Sequence, residues 1–519
     1  MKIKTSIIYL CWLCLVPEFV FAQGSEKIQL LHANSLEYDL KTTGKVKRLI
    51  GDVKFKQQQT VLTCDSAYQY DDANRIEAFG NVRINHQDSI RLFGDQLNYD
   101  GNTRMARLTG KVIMIDDDMT LTSNALDYDM KTNMGYYSDG GKIVSGKNTL
   151  TSKYGFYYSG IKEAFFKTNV VLVNPEYTIV TDTLRYRTVS KLTFFHGPTS
   201  IKGNTDKLLC NWGVYDTERQ IAQFGRGAAL KSNSNLLFAD SLYYERKTEF
   251  GKAFRNIELH DTVNHVIVYG DYGELYGKTK RSIVTTNAVA KQSMENDSFF
   301  LFADTIQSFQ WGKNNTQFIQ AFRHVRIYKS DMQSVCDSLT YNRGDSLIVL
   351  YSKPILWSGP NQITADTILL FMQNNKPDSF ICNTNAFIVS REAARLFNQV
   401  KGKNLYGSFY QNKIRYVFVS GNAQSIYYAK EDSDYIGVNV IDCSEMEFYF
   451  DQNRMQRANF INMPEAVLYP MNQRKPEELR LKGFNWHNRL RPSQTLIYKR
   501  FSTKSDFLKK TLWDTLIYQ

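Results

Sequence analysis

The sequence predicts an all-β fold, an elongated stack of about fourteen repeats of about 29 residues each. Three observations predict it: tyrosines recur at one interval, apolar residues alternate with polar ones, and turn-forming residues separate the alternating segments. With 43% hydrophobic and 13% aromatic residues, the 519-residue chain is too apolar to be disordered. Length alone would predict several globular domains, and the repeat replaces that expectation with one elongated domain.

Two short motifs define the repeat. The first is a small residue, Asp or Asn, Ser or Thr, an apolar residue, any residue and an aromatic residue, as in residues 239–244 (ADSLYY). The second follows ten to twelve residues later and reads Gly or Thr, Asn, apolar, any, apolar, as in residues 80–84 (GNVRI). The tyrosine of the first motif returns every 29 residues, at Tyr70, Tyr99, Tyr128, Tyr157, Tyr186, Tyr215 and Tyr244. Such spacing indicates a repeat architecture.

Within each repeat, apolar residues alternate with polar ones. Val82 and Ile84 alternate with polar neighbours, for example, and turn formers such as residues 100–102 (DGN) follow the alternating segments. This period of two predicts about two strands per repeat, each with one buried face. One hairpin cannot bury its apolar face alone, so the repeats must stack on one another. A single short helix is predicted at residues 390–400, where one repeat is longer than the others.

The first 22 residues have the pattern of a secretory signal peptide. Lys2 and Lys4 precede an apolar run at residues 7–16, and residues 20–22 (VFA) supply the small side chains of a cleavage site. We therefore expect an exported chain. The sequence divides into a signal peptide at 1–22, a repeat domain at 23–470 that is most regular over 30–260, and a C-terminal tail at 471–519.

The charged and polar residues do not indicate catalysis or nucleic-acid binding. The net charge is +12, but Lys and Arg are not clustered into the runs typical of nucleic-acid binding. The seven His residues lack the spacing of a metal site. The Asp of the first motif recurs once per repeat, whereas an active site like that of the β-helical polysaccharide lyases needs one pair of carboxylates. We interpret this Asp as a cap for backbone N–H groups at the strand entrance, and we predict a protein that is not an enzyme and has no metal or cofactor.

Five cysteines follow the signal peptide: Cys64, Cys210, Cys336, Cys382 and Cys443. An odd number argues against a complete disulfide framework in an exported chain. Four of them occupy one position of the repeat, where other repeats carry Ala, Gly, Ser or Thr. We therefore predict that they are small buried side chains rather than redox or metal-binding groups.

The two motifs in tandem behind a signal peptide resemble the OstA-like family, which includes the periplasmic lipopolysaccharide bridge LptA and the N-terminal domain of the translocon LptD. The resemblance is clearest from Asn34 to Leu259. It implies an open β-jelly roll, shaped like a folded shell, whose apolar interior holds the acyl chains of lipopolysaccharide. It also implies strand pairing with other jelly-roll components. The expected function is thus a lipopolysaccharide-binding transport component for outer-membrane assembly, in the periplasm or associated with the outer membrane.

This resemblance makes the inward apolar residues candidate lipid contacts, although as plain core they need no ligand. By the period of two, ten residues of the regular repeats face inward, namely Val53, Phe55, Val82, Ile84, Leu97, Tyr99, Val112, Met114, Leu126 and Tyr128. Four basic residues are candidates for contact with the phosphates and acidic sugars of the head group, namely Lys54, Lys56, Arg83 and Arg91. A solvated, mildly basic surface is the alternative interpretation of these charges.

The alternative to a transport function is a structural or glycan-binding β-solenoid at the cell surface. The two functions differ at the chain ends, because unpaired edge strands recruit further strands and a bridge needs such an end. Residues 28–31 (IQLL) begin the repeats without a cap, so we expect this strand to add to a jelly-roll partner. The tail from residue 472 is rich in Arg and Lys and contains Pro476 and Pro492, which suits an edge protected against pairing.

Overall fold

The computed structural model describes residues 26–38, 46–87, 89–117, 119–204, 206–225, 227–232, 235–263, 265–294, 297–374, 376–431, 434–451 and 454–501. Within these residues the chain forms 36 antiparallel strands, two 3₁₀ turns and the α-helix α1 (Gln494–Phe501). The all-β class is therefore confirmed. The predicted signal peptide lies outside the described residues.

The described chain forms two compact units that divide between Ala164 and Phe165, within strand β13 (Glu163–Asn174). The strands of unit 1 are β1 (Gln29–His32), β2 (Ser35–Tyr38), β3 (Val46–Gln57), β4 (Thr60–Tyr70), β5 (Arg75–His86), β6 (Ile90–Asp100), β7 (Met105–Asp116), β8 (Met119–Asp129), β9 (Met134–Tyr137), β10 (Gly141–Ser145), β11 (Asn148–Ser152) and β12 (Tyr154–Tyr158).

Unit 2 begins with the remainder of β13. Its other strands are β14 (Tyr177–Arg187), β15 (Leu192–Lys202), β16 (Asp206–Asp216), β17 (Ile221–Gly225), β18 (Ala228–Ser232), β19 (Asn235–Ala239), β20 (Ser241–Glu245), β21 (Phe250–Asp261), β22 (Val266–Tyr276), β23 (Arg281–Ser293), β24 (Ser298–Trp311), β25 (Thr316–Tyr328), β26 (Met332–Asn342), β27 (Leu347–Tyr351), β28 (Ile355–Ser358), β29 (Asn361–Thr364), β30 (Thr367–Gln373), β31 (Lys376–Arg391), β32 (Phe397–Tyr410), β33 (Lys413–Glu431), β34 (Asp434–Asp451), β35 (Arg454–Ile461) and β36 (Glu465–Tyr469).

Strands β3–β8 of unit 1 pair in chain order, two strands to each repeat. From β3 to β8 each strand is antiparallel to the next. One row across these strands is wholly apolar and buried, with Phe55, Leu62, Ile84, Leu92 and Met114 opposite one another in turn. The period of two seen in the sequence is therefore the alternation between a buried inner face and a solvated outer face.

A two-residue corner bulge interrupts β5 near its middle. Gly80 and Asn81 both have positive φ, 75° and 42°, and the register with β6 jumps across them. Equivalent pairs lie in β3, β7, β21, β23 and β31, at Gly51 and Asp52, Gly110 and Lys111, Arg255 and Asn256, Thr286 and Asn287, and Thr384 and Asn385. Gly and Asn adopt this left-handed conformation more readily than other residues. The second sequence motif is thus the corner bulge itself.

The Asp of the first motif holds the corner bulge of the next strand. The Asn81 side-chain amide donates a hydrogen bond of 2.9 Å to the Asp65 carboxylate. The same contact recurs in unit 2 between Asn256 and Asp240, Asn287 and Asp271, and Asn385 and Asp366, at 2.9–3.1 Å. The sequence led us to expect that this Asp caps backbone N–H groups. In these repeats Asp65 and its equivalents instead accept a hydrogen bond from an Asn side chain, which links two strands.

The predicted helix at residues 390–400 is wrong. Strand β31 continues to Arg391, β32 starts at Phe397, and Arg391 lies directly opposite Phe397. The intervening turn is closed by a backbone hydrogen bond of 3.0 Å from Glu392 to Leu396. Ala, Arg and Leu favour helix locally, but burial of Val389 and Phe397 against aromatic residues of the tail overrides that preference.

Residues 479–491 of the tail, here called the strap, bind across several strands of unit 2. The side-chain amide of Gln399, which is fully buried, donates to the Leu479 carbonyl at 3.0 Å and accepts from the Leu481 N–H at 2.9 Å. Gln362 makes the same pair of bonds, to the Asn485 carbonyl at 2.7 Å and from the His487 N–H at 2.8 Å. Each glutamine thereby replaces a strand partner for the strap backbone.

Apolar and cationic contacts add to these bonds. Leu479 packs against Tyr428 and Val438, and the Arg480 guanidinium lies 4.9 Å from the ring centre of Phe397. The Arg491 Nε donates to Gln333 Oε1 at 2.7 Å. The described contacts of the strap therefore run along β26, β29 and β31–β34, whereas the last strand, β36, meets the tail at Arg474, whose guanidinium lies 4.9 Å from the ring centre of Tyr469.

We predict that Gly80→Ala destabilises the protein more than Gly140→Ala. Both glycines have positive φ, so both substitutions carry the left-handed penalty of about 1–2 kcal/mol. A Cβ at Gly80 would also overlap the Asp65 carboxylate, whereas at Gly140 it meets open space. Urea unfolding followed by circular dichroism measures the difference. Equal midpoints for the two variants would show that the Asp65 contact can yield without cost.

We predict that Gln399→Met loosens the strap, because it leaves the Leu479 carbonyl and the Leu481 N–H without these partners at a cost of about 1–3 kcal/mol. Faster tryptic cleavage after Lys482, read by mass spectrometry, is the expected result. Gln96→Met, on the exposed outer face of β6, is the control and should leave cleavage unchanged. Equal cleavage rates in both variants would contradict the role of Gln399.

Candidate functional site

The ten predicted lipid-contact residues form the closed core of unit 1. All ten, from Val53 to Tyr128, are at most 3% exposed. The cavity beside Phe55, Ile84 and Tyr99 measures only about 10 Å³, room for about one water molecule. In this packing all ten side chains are buried, so an acyl chain could reach them only if the strands moved apart.

Polar contacts close unit 1 along a seam, where turns from the two ends of the strands meet. The Gln57 amide donates to the Gly101 carbonyl at 2.9 Å, and the His86 ring bonds the Asn133 side chain at 2.9 Å. The buried Asp116 carboxylate bonds the Lys162 ammonium at 2.5 Å. Burial also lowers the pKa of His86, which therefore stays neutral at neutral pH. These contacts join the two ends of the folded strands and leave the apolar interior without an opening here.

Unit 2 contains an apolar cavity of about 420 Å³. That volume is in the range of about 300–1,000 Å³ typical of small-molecule sites. Its apolar lining comes from strands β14–β23, with Ile179, Ile201, Leu208, Phe224, Leu230, Leu237, Leu242, Ile257 and Leu259. The cavity lies outside the segment, residues 53–128, in which the sequence predicted lipid contacts.

Two glycines of the cavity lining stand at inward positions where strands of unit 1 carry large side chains. When the motif of β21 is superposed on that of β5, Gly251 takes the place of Ile76, which is fully buried. Likewise Gly273 of β22 takes the place of Leu97 in β6. A Cβ on Gly251 would have no neighbour closer than 3.5 Å. These two glycines are the sequence feature that points to the cavity, since Gly251 stands where β5 carries Ile76 and Gly273 stands where β6 carries Leu97.

The cavity lining also includes a half-exposed ion pair and two tyrosines. Arg246 and Glu176 are joined at 2.8 Å and both are about half exposed. The Tyr177 and Tyr215 rings meet edge to face with centres 5.5 Å apart. Burial raises the pKa of both phenols, so they remain neutral at physiological pH. An apolar interior with a charged opening suits an amphiphile whose tail enters and whose polar end stays outside.

The four basic residues proposed for head-group contact lie together on the outer face of unit 1. Lys54 and Arg83 flank Thr63 in one cross-strand row. Lys56 and Arg91 lie in the adjacent row. All four are exposed. The structure thus brings them together, but in unit 1, whereas the 420 Å³ cavity belongs to unit 2.

The described residues offer little for other chemistry. No group of three or more His, Cys, Asp or Glu side chains among them could hold a metal ion. Cys64, Cys210, Cys382 and Cys443 are buried, as predicted, and Cys336 is half-buried. Burial raises the pKa of Cys64 and Cys210 to about 12, so these thiols are not activated nucleophiles.

In the described part of the chain, no helix has the length and apolar character needed to cross a membrane.

The fold and its motifs define a repeat protein of the OstA-like class. Residues 25–182 and 221–309 match the family model described as OstA-like protein, and the chain belongs to this family through these residues. The matched segments include the corner bulges of β3, β5 and β7 and much of the cavity lining. Membership supports a general role in lipid binding and transport rather than catalysis. No curated protein matches the chain significantly.

Proposed function

We propose that this protein is a periplasmic transport component that binds the acyl part of lipopolysaccharide during outer-membrane assembly. The observation that carries the proposal is the apolar cavity of about 420 Å³ in a chain of the OstA-like family. Each methylene removed from water contributes about 0.8 kcal/mol. Enclosing even six to eight methylenes therefore supplies roughly 5–6 kcal/mol toward binding.

The charged opening suits the polar end of such a ligand. Arg246 can turn from Glu176 to a phosphate, because an exposed ion pair contributes only about 0–1 kcal/mol and is readily exchanged. The guanidinium fork matches phosphate oxygens as well as it matches a carboxylate. Binding therefore replaces one ion pair with another while the acyl chain leaves water.

Transfer along a bridge also needs an end that can pair with another protein. Strands β1 and β2 pair with β3 on one side. Leu31, Leu36 and Tyr38 on these strands are 43–50% exposed. An exposed, apolar edge of this kind recruits another strand. We therefore propose that the N-terminal edge adds to a strand of another jelly-roll component of the lipopolysaccharide transport machinery.

We predict that the double variant Gly251→Ile and Gly273→Leu abolishes ligand binding in the cavity, because it adds to the cavity lining the large side chains that β5 and β6 carry at these positions. A fluorescent fatty acid, displaced by purified lipopolysaccharide, measures the affinity. Gly160→Leu is the control, since it adds similar bulk where a Cβ meets open space. Circular dichroism establishes that each variant is folded. Unchanged displacement in the double variant would exclude the cavity as the lipid site and favour a structural or glycan-binding role.

We predict that a photo-crosslinker at Gln29 in β1 captures a jelly-roll partner in cells. The same group at Val467 in β36 tests the opposite edge, and Asn98, on the outer face of β6, is a control outside both edges. Capture from Gln29 alone is the expected result. Capture from Val467 alone would reverse the proposed polarity, and capture from neither edge would contradict bridging by strand addition.

A further inference from the structure

The outer face of unit 1 divides into two halves of different charge at the corner bulges. One half lies between the corner bulges and the turns that follow β3, β5 and β7. Two cross-strand rows of outward-facing residues lie in this half and extend over β3–β8, β10 and β11. These rows contain five cations, Lys54, Lys56, Arg83, Arg91 and Lys142, and no Asp or Glu. We call this half the basic face.

The other half of the outer face is mixed in charge. Its central row carries Arg48 on β3, Glu77 on β5, Arg107 on β7 and Asp127 on β8. The cations of this half have acidic neighbours, with Arg48 at 3.2 Å from Glu37, Arg75 at 3.2 Å from Glu77 and Arg107 at 3.9 Å from Asp127. Within the described residues, none of the five cations of the basic face forms an ion pair. The two halves of the outer face therefore differ in how their charges are arranged, and this difference does not follow from the net charge of the chain alone.

Acidic residues mark the borders of the basic face. Asp65 and Asp95 lie at the corner bulges, beside Gly80 and Gly110, and Asp117 lies at a turn. Asp65 bonds Asn81, and Asp117 bonds Lys162 at 2.8 Å. These carboxylates already serve the fold at the edges, so they leave the two rows between them uniformly cationic.

We propose that the basic face binds an anionic phospholipid surface. Adjacent strands are about 4.8 Å apart, so the eight strands present their cations across a broad sheet surface that many head groups can contact at once. Ile113 and Val144 lie among the cations and are 36–37% exposed, which suits the boundary between head groups and acyl chains. A basic residue near an anionic bilayer contributes about 1 kcal/mol, and several cations on one face add these contributions. This site is separate from the cavity of unit 2 and does not depend on its ligand.

The test compares two triple variants that remove the same charge from the two halves. One is Lys54→Gln, Arg83→Gln and Arg91→Gln on the basic face. The control is Arg48→Gln, Arg75→Gln and Arg107→Gln on the mixed half. Co-sedimentation with vesicles of phosphatidylcholine and phosphatidylglycerol, and with vesicles of phosphatidylcholine alone, measures binding at several salt concentrations.

The wild-type chain should bind the anionic vesicles, release them as salt rises, and bind neutral vesicles weakly. The basic-face variant should lose roughly 10- to 100-fold in affinity and the control about threefold or less. Equal losses in the two variants would show that only net charge matters and would overturn the proposal. Absence of wild-type binding, equal binding to neutral vesicles, or binding only when lipopolysaccharide is included would overturn it as well.

Discussion

The corner bulge is the constraint on which the rest of the structure depends. A strand of twelve residues such as β5 cannot fold its two halves over one core unless its backbone turns sharply between them. Two consecutive residues of positive φ make that turn, and the carboxylate on the preceding strand holds it through Asn81 or its equivalents. Both sequence motifs follow from this geometry, because one supplies the turn and the other supplies its acceptor.

Once the strands are bent, the turns at their two ends meet, and the gap between these turns is either closed by side chains or left open. Unit 1 is closed by side chains at the turns, among them Gln57, His86 and Asp116. In unit 2, buried Gln362 and Gln399 bind the strap instead, each with the two bonds that a strand would make. Polar residues are thus buried where backbone groups need partners, which is the condition under which burying an amide is tolerated.

The cavity depends on the size of the inward residues and not on their pattern. Gly251 and Gly273 keep the period of two and the hydrogen-bond register of their strands, so the sheet continues unchanged past them. A Cβ at Gly251 would have no neighbour closer than 3.5 Å, whereas a Cβ at Gly273 would meet Ile257 at 3.2 Å, so the room lies at Gly251. A repeat fold can therefore hold a ligand site without any change of architecture, and the charged pair of Arg246 and Glu176 gives that site a polar end.

The sequence by itself determined the repeat, the strands and the inward residues, because period-two alternation and left-handed Gly-Asn pairs are local properties of the chain. The tertiary structure decided those features that depend on contacts between residues far apart in the sequence. Residues 390–400 became a hairpin because the strap, more than 80 residues later in the chain, covers Phe397. The predicted lipid contacts packed as closed core because turns from distant repeats bond across the seam. The basic residues gathered on one face because cross-strand register, which no local pattern encodes, sets them side by side.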